Sequence, residues 1–306
     1  MTSTPLFSIL IANYNNGQYL EECLQSVFNQ TYTNWEIILI DDASTDRISH
    51  ELYEKYKYHQ QIKIFFNQEN KGCGYTKMRC AEEATGQICA FLDPDDTITP
   101  NALEIMVNKH IVYPDYSLVY STHYICDNKM NILKVSDYVG KIPQNHSHLS
   151  HPGPRISQFA TFKNSYYKKT IGINPKLPKA VDQDLYYKIE EVGSILFLDE
   201  PLYYYRHHKG SISLNTNFNS AIYWNLVVSN EAHIRRKKGK SRVPNISMKA
   251  LYTRWLNYHH NFIVEELRKK KRIKAVIHFF KALKYLRYDK NLNTLKLGYR
   301  IFFKKN

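Results

Sequence analysis

The stretch SILIANYNNGQYLEECLQSVFNQTYTNWEIILIDDASTD, residues 8–46, decides the fold class. It opens within the apolar run FSILIAN (7–13) and closes on a second, WEIILIDD (35–42). Between them lies GQYLEECLQSVFNQ (17–30), with Leu20, Leu24, Val27 and Phe28 on one helical face. Apolar runs without polar alternation suit strands buried on both faces, and two such strands joined by an amphipathic helix make a parallel β-α-β unit. The pattern continues outward. A helix from about Asp46 to Tyr58, capped by Ser44 or Thr45, leads to the strand IKIFFN (62–67). A helix over Tyr75–Thr85 leads to QICAFLD (87–93), and another helix follows over Pro100–His110. The order β-α-β-α-β-α-β-α predicts an α/β fold with a mostly parallel, Rossmann-like sheet and flanking helices.

Downstream, SLVYSTHYIC (117–126) reads as a further strand, after which Asp137–Gly153, with Pro143, Pro152 and Pro154 nearby, reads as a loop. ISQFATFK (156–163), SILFLD (194–199) and LYYYRHH (202–208) are strand-like, and DQDLYYKIEEVG (182–193) is helix-like. Beyond Asn217 only helical periodicity remains, broken by RRKKGKSRVP (235–244), whose Gly, Ser and Pro mark a linker.

Of 306 residues, 43% are hydrophobic and 23% charged, which excludes global disorder. The net charge of +14 is unevenly placed. Residues 1–230 hold 20 Lys and Arg against 24 Asp and Glu, whereas residues 231–306 hold 22 against 4. An acidic body with a basic tail is expected. No run approaches the ~20 apolar residues that span a bilayer, and the first residues lack a basic start before their short apolar run. The chain is therefore expected to be neither secreted nor transmembrane. Cys23, Cys73, Cys80, Cys89 and Cys126 form no C-x-x-C pair and read as reduced thiols of a cytosolic protein.

In open parallel sheets, ligands bind beyond the carboxyl ends of the strands. Here those ends carry Asn13-Tyr14-Asn15, Asp41-Asp42-Ala43-Ser44, Asn70-Lys71-Gly72 and Asp93-Pro94-Asp95-Asp96. Three carboxylates within four residues repel one another unless a cation or strong donors balance them. Mg²⁺ or Mn²⁺ does so and completes its shell with substrate phosphates. Alone, the tetrad reads rather as an Asp-Pro turn with solvated acids; the acidic rim one strand earlier reverses that preference in favour of the metal. Gly72-Cys73-Gly74 completes neither G-x-G-x-x-G nor the P-loop pattern, which disfavours a dinucleotide oxidoreductase. His146, His148 and His151 match no standard zinc spacing and read as an acceptor-facing or solvated loop.

In the tail, Ile273, Val276, Ile277, Phe280 and Leu283 recur at helical spacing, with Lys274, His278, Lys281 and Lys284 on another face, after the cluster 268–272. Two readings stay open for this basic amphipathic helix: docking on the body with a solvated basic face, or binding an anionic membrane surface. No helix-turn-helix, RNA-recognition or zinc-finger signature accompanies the charge, so nucleic acid is not expected.

Four segments in order resemble the inverting family-2 glycosyltransferases of bacterial polysaccharide and lipopolysaccharide assembly, which have the GT-A fold. They are residues 8–46 above, QENKGCGYTKMRCAEEATGQICAFLDPDD, AVDQDLYYKI and YYYRHHKGSIS. The resemblance implies a GT-A-like catalytic domain over 1–215, its nucleotide-binding half about 1–125 and its acceptor half about 126–215. A basic helical extension would occupy 216–306. It implies that Tyr14 stacks on the nucleobase, that Asp42, with Asp41 beside it, accepts the base N–H, and that Lys77 lies near the donor diphosphate. Asp93 would sit near the ribose, and Asp95, Asp96 as the additional acid, and His208 would hold the metal, with His208 also near the diphosphate. Asp182 falls on the family's base. Ala12, Met78, Cys80 and Val181 depart from the common pattern, and Val181, where Glu is usual, leaves open whether Asp182 or Asp184 is the base.

The implied activity is metal-dependent, inverting transfer of a hexosyl or N-acetylhexosaminyl group. The donor would be a nucleoside-diphosphate-sugar, a UDP-sugar being expected, and the acceptor a hydroxyl of a glycan or lipid-linked glycan. Lipid-linked acceptors would favour the membrane reading of the tail, and with it a cytoplasmic protein peripheral at the inner face of the cell membrane. The competing reading is a non-catalytic nucleotide-sugar, membrane or nucleic-acid binding module on the same fold.

Overall fold

In the computed structural model, which describes residues 4–208, 210, 218–239, 241, 243–286, 295, 296, 298 and 301, the apolar runs become buried strands. The order is β1 (Phe7–Asn13), α1 (Gly17–Phe28), β2 (Trp35–Asp41), α2 (Arg47–Tyr56), β3 (Ile62–Phe66), α3 (Cys73–Glu83), β4 (Ile88–Phe91), β5 (Thr97–Ile98) and α4 (Ala102–Val112). It continues β6 (Tyr116–Cys126), β7 (Ile132–Val135), β8 (Ala160–Lys163), α5 (Asn164–Tyr167), α6 (Val181–Val192), β9 (Ser194–Arg206), α7 (Phe218–Lys238), α8 (Met248–Arg268) and α9 (Arg272–Leu283).

One sheet runs β3-β2-β1-β4-β8-β6-β9-β5, with β7 on β6. The expected parallel arrangement holds for β3, β2, β1 and β4. Beyond β4 the sheet is mixed: β8 runs antiparallel to β4 and β6, whereas β9 runs parallel to β6. Strand alternation splits the apolar side chains between two layers. Leu10, Ile38 and Phe91 pack toward Cys80 of α3, Leu185 of α6 and Val228 of α7. Ile9, Ile37 and Ala90 pack toward Leu24 of α1, Leu52 of α2 and Met106 of α4.

Several local expectations are corrected. The cap of α2 is Asp46, whose carboxylate accepts from Ser49 N at 2.8 Å, not Ser44 or Thr45. Ser44 is instead drawn into the β1 loop, its hydroxyl accepting from Asn15 N at 2.9 Å. The two strands read at 194–199 and 202–208 are one strand, β9, whose register against β6 shifts near Pro201. The strand read over 156–163 is only β8, and the short β5 and β7 had no apolar run long enough to announce them. The linker read at 235–244 begins inside α7. There Arg236 is buried, donating to Glu190 Oε2 at 2.7 Å and Glu191 Oε1 at 3.0 Å, and Arg235 donates to Glu191 Oε2 at 2.6 Å. Part of the tail's charge is thus spent on fixing α7 to α6. All five cysteines are free thiols, and no helix is long and apolar enough to cross a membrane among the described residues. The end of the YYYRHHKGSIS segment and most of residues 287–306 lie outside the described residues.

Candidate functional site: an acidic rim joined to helix α6

Parallel order puts the carboxyl ends of β1, β2 and β4 side by side, so their polar ends meet on one rim. The loops after β1 and β2 are stitched together. Asn13 Nδ2 donates to Tyr53 Oη at 2.6 Å and Ser49 Oγ at 3.1 Å, and Tyr53 donates on to Asp41 Oδ1 at 2.5 Å. Asp41 Oδ2 accepts from Ser44 N at 3.0 Å. Asp42, 3% exposed, accepts from Asn67 Nδ2 at 2.7 Å and from the backbone of Lys71 and Gly72 at 2.8 Å each. Gly72 opens α3 at φ +86°, a left-handed conformation that favours glycine, and a Cβ on Gly74 would lie 2.6 Å from Leu177 O. These glycines let the chain turn tightly beneath the rim. Tyr14 projects from the end of β1, exposed. The two acids expected to read the base therefore serve first as fasteners of their own loops.

The turn after β4 divides its acids. Asp96, 1% exposed, accepts from Tyr203 Oη at 2.7 Å and Arg206 N at 2.7 Å, both on β9. Burial, with Asp95 and Asp93 beside it, pushes Asp96 well above the usual carboxylate range. Asp95 instead meets His208, Oδ2 to Nε2 at 2.8 Å. Asp93 meets Lys77, whose ammonium lies 3.0 Å from Asp93 Oδ1 and 2.9 and 3.1 Å from the two oxygens of Asp182. Lys77 is 6% exposed while Asp93 and Asp182 keep 30% and 29% of their side-chain surface. Desolvation of Lys77 is outweighed by the two carboxylates, which hold its pKa well above that of a free lysine. Burial, reinforced by Asp182 and Asp95, raises Asp93 despite the ammonium.

Asp182 stands in the first turn of α6, which follows Ala180 in a left-handed conformation at φ 59°. It caps no backbone there. Asp184, the alternative base, is 1% exposed and turned away, 2.5 Å from Lys188 Nζ. Of the two, only Asp182 reaches the rim. His148 is buried against Gln183 Oε1 at 2.6 Å, and desolvation lowers it to about 3. His151 receives Arg155 Nε at 3.2 Å.

The sequence did not single out Arg206, which organises this turn. Its Nε donates to Asp95 O and its Nη1 to Asn128 O, both at 2.7 Å, and its Nη2 pairs with Glu22. The guanidinium lies 4.7 Å from the centre of the Tyr19 ring, which in turn lies 4.8 Å from His208. The available signal was the Arg two residues before His208.

Among the described residues, no three His, Cys, Asp or Glu side chains converge as a ready cage for a metal. Asp95 and His208 nevertheless fit a Mg²⁺- or Mn²⁺-type ion. Adjacent ligands of an octahedron with bonds of about 2.1 Å lie about 3 Å apart, and these atoms are 2.8 Å apart. Such ions take few protein ligands and leave the remaining positions to water and phosphate.

Comparison with known proteins agrees with the fold. The sequence model described as Glycosyl transferase family 2 matches residues 8–172. Chondroitin synthase of Escherichia coli is 31% identical over 199 residues, covering 65% of this chain and 28% of that protein. Putative glycosyltransferase EpsH of Bacillus subtilis is 29% identical over 220 residues, covering 68% of this chain and 63% of that protein. The chain thus spans less than two thirds of either relative. In three dimensions, S. aureus TarS 1–349 superposes with a TM-score of 0.58 at 19% identity, covering 95% of this chain and 91% of that chain. The same protein in complex with UDP-GlcNAc gives 0.59 at 19% identity, covering 95% and 92%. The GT-A-like fold expected from the resemblance is borne out, and the chain belongs to glycosyl transferase family 2.

Proposed function

We propose that this chain transfers a hexosyl or N-acetylhexosaminyl group from a nucleoside-diphosphate-sugar to a hydroxyl of a glycan or lipid-linked glycan, with inversion. The observation that carries the reading is the Lys77 bridge. It joins the D-x-D turn to a carboxylate 105 residues away in the chain from Lys77, so that Asp93, Lys77 and Asp182 form one cluster. The solved structures of TarS with UDP and with UDP-GlcNAc support a UDP-sugar as donor.

Tyr14 offers its exposed ring to the base, and Asp93 offers its open oxygen to the ribose. Asp95 and His208 would hold Mn²⁺ or Mg²⁺, which when bound supplies positive charge against the departing diphosphate. Asp182 takes the proton of the acceptor hydroxyl as that oxygen bonds to the anomeric carbon, while the bond from that carbon to the phosphate oxygen breaks. Attack opposite the leaving group inverts the centre, and no covalent intermediate is needed. Lys77 holds both oxygens of Asp182. A donor diphosphate drawing the ammonium toward itself frees that carboxylate to act, which links donor occupancy to base availability.

The test is release of nucleoside diphosphate from a panel of nucleotide sugars with Mn²⁺, with and without chelator and glycan acceptors. Activity on one donor that chelation abolishes is expected. Absence of donor binding and turnover across the panel would favour the binding-module reading.

A further inference from the structure

The tail helix α9 carries two apolar faces where the sequence suggested one. At about 100° per residue, Ala275, Phe279 and Ala282 share a face. All three are buried, Ala275 and Phe279 in a cluster with Ile263 of α8 and Ile301 that also draws in Val264 and Leu267 of α8. Ile273 and Ile277, one turn apart, lie roughly 160° around the helix from it and are 79% and 48% exposed. Phe280 continues that stripe at 57% exposed. Docking therefore consumes Ala275, Phe279 and Ala282 and leaves Ile273, Ile277 and Phe280 facing out. An exposed stripe of this kind on a fixed helix calls for an occupant.

The charge around the stripe says which. Lys281 and Lys284 flank it, Lys274 lies beside them, and the run 268–272 opens the helix; all are exposed, and no acid occurs between 268 and 284. A second copy of the same face would bring like charges together over the apolar contact. A nucleic acid would answer the charge but offers no apolar layer to cover the isoleucines. An anionic bilayer answers both, taking the isoleucines into the acyl boundary while lysine stems reach back to the headgroups. We infer that the outer face of α9, centred on Ile273 and Ile277 and ringed by lysines, is a docking surface for an anionic lipid membrane. The helix is already formed and held by its opposite face, so binding needs no folding step. This surface is independent of the acidic rim, since none of its residues touches the donor site.

The test is co-sedimentation of the full chain with phosphatidylcholine vesicles with and without phosphatidylglycerol, at low and high salt. The chain is expected to bind only the anionic vesicles and to leave them at high salt. Each basic residue lost should weaken partitioning roughly fivefold, so Lys281→Gln with Lys284→Gln should weaken it at least tenfold. Ile273→Glu with Ile277→Glu should also weaken it at least tenfold, with helix content and melting temperature unchanged because both side chains are exposed. The inference is overturned if the isoleucine variant binds like the parent, since the face would then be only a charged patch. Equal binding to neutral vesicles, or concentration-dependent dimers lost in the isoleucine variant, also overturns it. Donor turnover without vesicles is read in parallel, so that failure of the membrane surface and failure of the proposed transfer are told apart.

Discussion

The turn that closes β2 directs both its carboxylates inward, Asp41 onto Tyr53 and Ser44 and Asp42 onto Asn67 and the backbone at 71–72. The turn that follows β4 directs only Asp96 inward and leaves Asp93 and Asp95 facing a single lysine and a single histidine. The difference lies in what each acid can reach. A carboxylate ringed by backbone N–H groups is committed to holding a loop, because removing it would leave those donors unmatched. A carboxylate paired with one side chain can exchange that partner for a substrate. Adjacent acids of one motif thus divide into fasteners and reactive groups.

The largest effect expected is on turnover. Asp182→Asn should lower transfer about 10²–10⁴-fold while calorimetry shows donor affinity little changed. Asp184→Asn should act through stability, since Asp184 is buried on Lys188. The assignment breaks if the two exchange behaviours.

Next comes the inward turn. Asp42→Ala strands the Lys71 and Gly72 N–H groups and Asn67, at a cost of about 2–4 kcal/mol in denaturant unfolding. An unchanged midpoint would mean that the loop does not depend on this acid.

Burial away from the rim sharpens the comparison through pH. His110, 3% exposed beside Thr161, and His148, 2% exposed, are both pushed down to about 3 by desolvation. The unfolded chain binds protons near pH 6.5 that these buried rings refuse. Stability should therefore be full above about pH 6.5 and fall as pH drops toward 3, by about 2 kcal/mol per histidine at pH 5. His110→Gln should flatten that slope in urea melts between pH 7.5 and 5; an unchanged slope would place the acid sensitivity elsewhere.

The smallest effect concerns the bridge. Lys77→Met should weaken nucleotide-diphosphate binding about tenfold, and Lys77→Arg should restore part of it. Equal affinity in all three would show that Lys77 serves only Asp93 and Asp182.

The parallel half of the fold was legible because β1, β2, β3 and β4 are apolar runs and their helices keep one face apolar. The mixed half was less so. β5 and β7 are too short to carry a period, and β9 hides its continuity behind Pro201. Asp93, Asp95, Asp182, Lys77 and His208 were legible through the resemblance, and the structure gathers them at the rim. What sequence could not separate was Asp95 from Asp96, since their tasks are set by β9, more than a hundred residues later. Arg206 and Tyr19 escaped for the same reason: their contacts are long-range.

That pair gives the most direct test. Asp96 sits where burial and its neighbours favour the neutral form, so Asp96→Asn keeps an acceptor for Arg206 N and a polar partner for Tyr203. Transfer should be assayed with Mn²⁺ for Asp95→Asn and Asp96→Asn side by side. The account predicts that Asp96→Asn keeps transfer within about tenfold of the parent while Asp95→Asn loses at least about 10²-fold at an unchanged melting temperature. An inactive Asp96→Asn beside an active Asp95→Asn would contradict it.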